Sequence, residues 1–190
     1  FVIKPVSSGS SFGIKIFKNE KTIDLFVNDI KNQRKQYLNH KKILIEKYIK
    51  GRELTVSVIE RNNNSEPVEV TEIISNNDFF DYQSKYTPGF SKHILPAKIP
   101  KHIYENCKMS AKIVHEKINC KGISRSDFIY DNDQIYFLEI NTQPGLTSIS
   151  LVPEQLKYQK ISFDELISNI INSLLWKIKL LTKEKKNFLI

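Results

Sequence analysis

The sequence predicts an α+β fold with mostly antiparallel sheets and packed helices. Three observations carry this. "ELTVSVIE" (53–60) and "PVEVTEIIS" (67–75) flank the turn-like "RNNNSE" (61–66) and read as a hairpin. "GISRSDFIY" (122–130) and "QIYFLEIN" (134–141), joined by "DND", read as a second. Apolar residues at helical spacing recur between and after these pairs, with no internal repeat.

The remaining elements follow in chain order. "FVIK" (1–4) reads as a short buried strand, "PVSSGSSFG" (5–13) as a small-residue loop and "IKIFK" (14–18) as a second strand. Ile23, Phe26, Val27, Ile30, Tyr37 and Leu38 share one face of a helix. "KILIEKYI" (42–49) is a strand, with Gly51 behind it to permit a bend. Residues 76–99, with Asn76-Asn77, Pro88-Gly89 and Pro96, read as irregular, and such long loops are often lids or binding loops. A helix follows Pro100, with Ile103, Cys107, Ala111, Val114 and Ile118 as its apolar stripe. A last helix starts at Ser162: Glu165 stands at capping-box spacing, and Phe163, Leu166, Ile170 and Leu174 form its face.

Composition narrows the class. The 190 residues suffice for one domain or two small ones with a real core. No apolar run approaches bilayer-spanning length, and no basic-then-apolar signal peptide opens the chain. It begins with Phe1 inside a strand, as a fragment or processed chain would. Cys107 and Cys120 lack metal-type spacing and read as buried free thiols in a reducing compartment. His40, His93, His102 and His115 read as surface or packing residues. A net charge of +8 admits a nucleic-acid or membrane partner, but the lysines are spread along the chain and the aromatics are patterned as core. Neither partner is therefore expected. The basic tail "KIKLLTKEKKNFLI" reads as a solvated helix end.

Three stretches bear chemistry. Glu139 and Asn141 alternate on one strand and so share a face, just before a Thr-Gln-Pro-Gly turn. Asp127 lies on the preceding strand, within reach if register allows, and Arg125 points to the same side as Asp127. Two carboxylates and an amide suit Mg²⁺, which takes one or two carboxylates and leaves the rest to phosphates and water. Taken alone, the plainer reading is a pair of solvent-facing carboxylates. "KPVSSGSSFG" ends a strand in Lys4 and continues as a Ser/Gly loop whose N–H groups suit phosphate oxygens, although a flexible hairpin loop explains it equally well. "LIEKYIKGRE" brackets a short crossing with Glu46 and Glu53, suited to a purine edge and a ribose, or to an ordinary edge strand.

In their order, "FVIKPVSSGSSFG", "ILIEKYIKGRELTV", "FFDYQSKY", "GISRSDF" and "YFLEINTQPGLTSISLVP" closely resemble the D-alanine–D-alanine ligase family of the ATP-grasp superfamily, to about Leu175. The resemblance implies an ATP-grasp fold, with part of the central lid subdomain at 1–50, the C-terminal subdomain at 52–190, and the N-terminal domain absent. It implies that Lys4 contacts ATP phosphates beneath the Ser/Gly loop, that Glu46, Lys47 and Ile49 hold adenine, and that Glu53 holds the ribose. Asp127, Glu139 and Asn141 would bind two Mg²⁺ ions, with Mn²⁺ as an alternative metal. Lys85 would approach the transferred phosphate, and Arg125 and the Gly145 N–H the tetrahedral intermediate. Ser150 and Leu151 would receive the second D-alanine, with Ser10 and Tyr86 in the lid network. The resemblance also implies that ligases making D-alanyl-D-lactate lack this tyrosine.

The implied activity is ATP- and Mg-dependent joining of two D-alanines through an acyl phosphate. It would take place in the cytoplasm and supply peptidoglycan precursors, with a homodimer open to the full-length protein. Two alternatives stand: a non-catalytic nucleotide-binding remnant, and another ATP-grasp carboxylate–amine ligase. "EINTQPGLTSISLVP" argues against the second.

Overall fold

Short alternating segments at the start of the chain form a three-stranded sheet: β1 (Val2–Pro5), β2 (Lys15–Ile16) and β3 (Ile43–Glu46), ordered β2-β1-β3 with antiparallel pairing. The computed structural model describes residues 1–6, 13–17, 28, 42–62, 64–75 and 91–172. Ile3 is fully buried with Phe17, and the Phe1 and Phe17 rings stack at 4.9 Å. β3 stops at Glu46, shorter than its alternation predicts. The predicted helix residues 23–38 lie outside the described residues, apart from the helical Asn28. The chain divides into two compact units, Phe1–Lys50 with Ser75–Lys92, and Gly51–Ile74 with His93–Ile190.

The second unit is built on a five-stranded sheet. β4 (Arg52–Arg61) and β5 (Asn64–Ser75) form the first predicted hairpin, and β7 (Ile123–Asp131) and β8 (Gln134–Asn141) the second. The order is β6-β5-β4-β7-β8, where β6 (Ser91–Ile94) is a strand inside the stretch expected to be irregular. The β7–β8 loop is only Asn132-Asp133, with φ 45° and 63°. A two-residue hairpin turn of the right twist needs positive φ at both positions, and Asn and Asp tolerate it.

β4 is the central strand and is buried on both faces. Leu54, Val56 and Val58 point one way, packing with Val70 and Phe128 against Ile103, Cys107 and Ala111 of α1 (Lys101–Lys117). His115 completes that buried stripe, while Val114 is half-buried and Ile118 is exposed, against expectation. Strict four-residue spacing explains the exchange: 103, 107, 111 and 115 lie along one line of the helix. The imidazole is accommodated because its Nδ1 shares a 2.7 Å hydrogen bond with Ser124 Oγ. Cys107 and Cys120 are both free, and burial pushes the Cys107 thiol up to about 12. Cys120 is only half-buried.

On the other face of β4, Ile59 joins Val68, Ile123, Val152, Leu156 and Leu166. Val152 and Leu156 belong to α2 (Leu151–Tyr158), a helix that periodicity alone did not predict. It is eight residues long and carries Pro153 in its first turn, where a missing N–H leaves no helical bond unmade. Residues 163–172 form a further helix, with Ser162 Oγ accepting the Glu165 N–H at 3.0 Å as the capping spacing predicts. Leu166 is fully buried but Phe163 is exposed, and Leu174 lies outside the described residues. No helix among the described residues is long and apolar enough to cross a membrane.

Candidate functional site

Strand register assembles the site. Thr55 on β4, Asp127 on β7 and Glu139 on β8 lie opposite one another, and Ser57, Arg125 and Asn141 form the next row. Residues two apart share a face, so both rows project from the same side of the sheet. A β-bulge makes this possible. The two-residue turn pairs Asp131 with Gln134, and unbroken pairing would set Leu138 opposite Asp127. Instead the register shifts between Asp127 and Phe128, and Glu139 takes that place. One residue of slip exchanges the faces, so the bulge decides whether two carboxylates meet.

The two carboxylates differ in environment. Asp127 is buried, while Glu139 is exposed on the edge strand. Arg125 holds Asp127 at two points, Nε to Oδ1 at 2.9 Å and Nη2 to Oδ2 at 2.8 Å. Thr55 Oγ1 donates to the same Oδ1 at 2.6 Å. Burial alone would lower the Arg125 pKa, but the carboxylates of Asp127, Glu139 and Glu53 outweigh it and hold the guanidinium above its ordinary value. Asn141 Oδ1 accepts the Gln143 N–H at 2.9 Å, which orients the amide at the start of the following turn. Phe137 was expected in the core. It is 46% exposed because β8 is an edge strand, and its ring meets Phe128 edge-on at 5.8 Å.

The turn after β8 is built around Ser150. Its Oγ accepts the Thr147 N–H at 3.2 Å and lies 2.8 Å from Thr147 Oγ1. A Cβ on Gly145 would fall 2.9 Å from that Oγ, so a side chain there would crowd the turn. Leu151 is buried where α2 opens. In the first unit, Lys4 Nζ lies 2.6 Å from Glu46 Oε2 across β1 and β3. Lys47 is exposed and Ile49 half-buried. Glu53 belongs to the second unit, on β4 opposite Ile129. Ser10, Lys85 and Tyr86 lie outside the described residues.

Among the described residues no group of three His, Cys, Asp or Glu is gathered to hold a metal. The donors on this face are two carboxylates and one amide oxygen, an open set of hard oxygens. That set fits Mg²⁺, which takes few protein ligands beside phosphate and water. Thr55 was missed by the sequence reading. The alternation of "LTVSV" shows that Thr55 and Ser57 share a face, but their neighbour on β7 depends on a register set across α1.

Fold and site together define an ATP-grasp architecture. Similar solved structures include a D-alanine–D-alanine ligase from Bacillus anthracis complexed with ATP (25% identity, TM-score 0.69, 94% of this chain and 54% of that one). Another is the VanG D-Ala:D-Ser ligase from Enterococcus faecalis (30% identity, TM-score 0.70, 90% of this chain and 48% of that one). Among curated relatives, the D-alanine–D-alanine ligase of Zymomonas mobilis is 43% identical over 183 residues, covering 92% of this chain and 54% of its own length. The family model described as D-ala D-ala ligase C-terminus matches residues 1–172, and the chain belongs to that family. The chain spans about half the length of the curated relatives it matches.

Proposed function

We propose that this chain carries the nucleotide, metal and acceptor parts of an ATP-dependent D-alanine–D-alanine ligase. Residues 1–50 act as part of the lid subdomain and 52–190 as the C-terminal subdomain. The observation that carries the reading is the pair of rows Thr55–Asp127–Glu139 and Ser57–Arg125–Asn141 on one sheet face. Asp127, Glu139 and Asn141 would hold Mg²⁺, which when bound neutralises charge on the ATP phosphate oxygens.

In the reaction, the carboxylate of one D-alanine attacks the γ-phosphorus and displaces ADP, giving an acyl phosphate. The neutral amine of a second D-alanine attacks the acyl carbon. Phosphate then leaves and the amine loses a proton, which yields the dipeptide. Arg125 suits the negative charge that develops on the acyl oxygen: two of its N–H groups are committed to Asp127, and among the described residues the others make no hydrogen bond and can serve an oxyanion. The Gly145 N–H is its partner on this reading, and the Ser150–Leu151 segment receives the second substrate. Lys4 draws in the phosphates. The cytoplasm is the setting, and the product is a peptidoglycan precursor.

Calorimetric titration of the purified chain with ATP tests this. Binding is expected in Mg²⁺, with a large loss in EDTA and in Glu139→Gln. Absence of ATP binding would overturn the nucleotide reading. Binding indifferent to Mg²⁺ and to Glu139→Gln would remove the metal site.

A further inference from the structure

We infer that Gln155 is a positioning residue that keys α2 to β4 and, through Thr55, steadies the Asp127 carboxylate; its consequence for catalysis rests on the ligase reading above. The pairing of β4 with β5 slips between Val56 and Val58. The slip leaves Ser57 without a paired residue on β5, while Thr55 stays paired with Thr71. Gln155, fully buried on α2, reaches both Ser57 and Thr55. Its Oε1 accepts the Ser57 N–H at 2.9 Å, and its Nε2 donates to the Thr55 carbonyl at 3.2 Å and to Thr71 Oγ1 at 2.9 Å. The side-chain amide thus gives the Ser57 N–H an acceptor where β5 pairs no residue with it, and ties that point to Thr55.

The contact falls at a point that matters. Thr55 is the residue whose hydroxyl donates to Asp127 Oδ1 at 2.6 Å. α2 is the helix that opens at Leu151, directly after Ser150. One side chain therefore joins the helix that opens at the proposed acceptor segment to β4, whose Thr55 hydrogen-bonds the proposed metal carboxylate on β7. Two further polar contacts, one from α2 and one from its C-cap, bypass β4: Glu154 meets His93 at 2.7 Å, and Gln159 donates to Glu69 at 2.7 Å.

NMR of the labelled 190-residue chain tests this without ATP, so a failure of nucleotide binding would sink the ligase reading and leave this result standing. Gln155→Leu keeps the bulk and removes every bond. The Ser57 N–H is expected to exchange about tenfold faster or more, since it loses the Gln155 acceptor. The Asp127 carboxyl ¹³C signal should move toward its position in Thr55→Val. Gln159→Leu breaks a helix–sheet bond of the same kind without touching β4, and should change neither signal. Gln155→Glu separates the two bonds. Its carboxylate still accepts from the Ser57 N–H but cannot donate to the Thr55 carbonyl, so Ser57 protection should persist while the Asp127 signal moves toward its position in Thr55→Val. Equal effects of Gln155→Leu and Gln159→Leu, or an unmoved Asp127 signal, would overturn the inference. If Gln155→Leu does not fold, Gln155→Glu decides, and an Asp127 signal left in place there counts against the inference.

Discussion

Arg125 and Asp127, two residues apart on β7, are joined by two parallel hydrogen bonds, and their side chains are only 13% and 9% exposed. Removing one partner of such a pair leaves an uncompensated charge in a poorly solvated place. Asp127→Asn is expected to lower the unfolding free energy by about 3 kcal/mol, because breaking a buried pair costs far more than the pair contributes. Glu139 faces it from the exposed edge strand. Glu139→Gln should stay within about 0.5 kcal/mol of the parent. Urea unfolding at neutral pH distinguishes the two; equal losses would show that burial does not separate their roles.

Part of this site was legible in the sequence and part was not, for physical reasons. The alternation of side chains placed Glu139 with Asn141 and Arg125 with Asp127, since period two needs only local sequence. The meeting of Asp127 with Glu139 depended on a bulge that no residue in "YFLEIN" announces. Thr55 and Gln155 were invisible as partners of the site, because their contacts span 72 and 100 residues. Both hairpins were read, because alternation and turn residues are local signals, but β4 runs to Arg61 and β5 begins at Asn64, inside the turn expected over 61–66. α2 escaped because eight residues with a proline in the first turn give too little periodicity. His115 was read as a surface or packing residue and it packs; its place in the apolar stripe was not read, because an imidazole on an apolar line looks polar until a buried hydroxyl is found for it.

Gly51 lies at a bend, as expected, and its missing side chain also permits a close approach. A Cβ there would lie 2.4 Å from the Tyr130 carbonyl oxygen and 2.5 Å from Ile129 Cγ2. The carbonyl is backbone and cannot turn aside. Gly51→Ala should therefore displace the start of β4 from β7 and destabilise the chain by about 2 kcal/mol, the range of overpacking. A denaturant midpoint equal to the parent's would show that β7 yields more easily than this geometry implies.

His115 sets a pH dependence. Burial lowers its pKa below the ordinary value; Glu60 and Glu116 pull it back up, and Lys121 adds to the lowering. The unfolded chain therefore takes up a proton at this residue before the folded chain does. Stability is fully present above the ordinary histidine value of about 6.5 and declines as pH falls toward the lower folded pKa. His115→Gln keeps a polar partner for Ser124 and cannot titrate. The parent should lose more stability than the variant between neutral and mildly acid pH. Parallel stability curves would show that His115 does not contribute.

Lys4 and Glu46 form a pair, Nζ to Oε2 at 2.6 Å, with side chains 20% and 36% exposed. At that exposure the pair itself contributes little to stability, about 1 kcal/mol at most. On the proposed reading, each partner meets a different end of ATP: Lys4 the phosphates, Glu46 the base. The phosphate must then share a lysine that Glu46 already holds. Neutralising Glu46 relieves that competition while removing a contact to adenine. Glu46→Gln should therefore bind inorganic triphosphate more tightly than the parent and ATP less tightly. Lys4→Met should weaken both, by about tenfold, the loss of a charge-assisted bond to a partly desolvated phosphate. Competition titrations of ATP, adenosine and triphosphate against a fluorescent nucleotide separate these effects. Triphosphate affinity unchanged in both variants would place the phosphates away from Lys4. A loss of triphosphate affinity in Glu46→Gln would show that Glu46 orients Lys4 rather than competing for it.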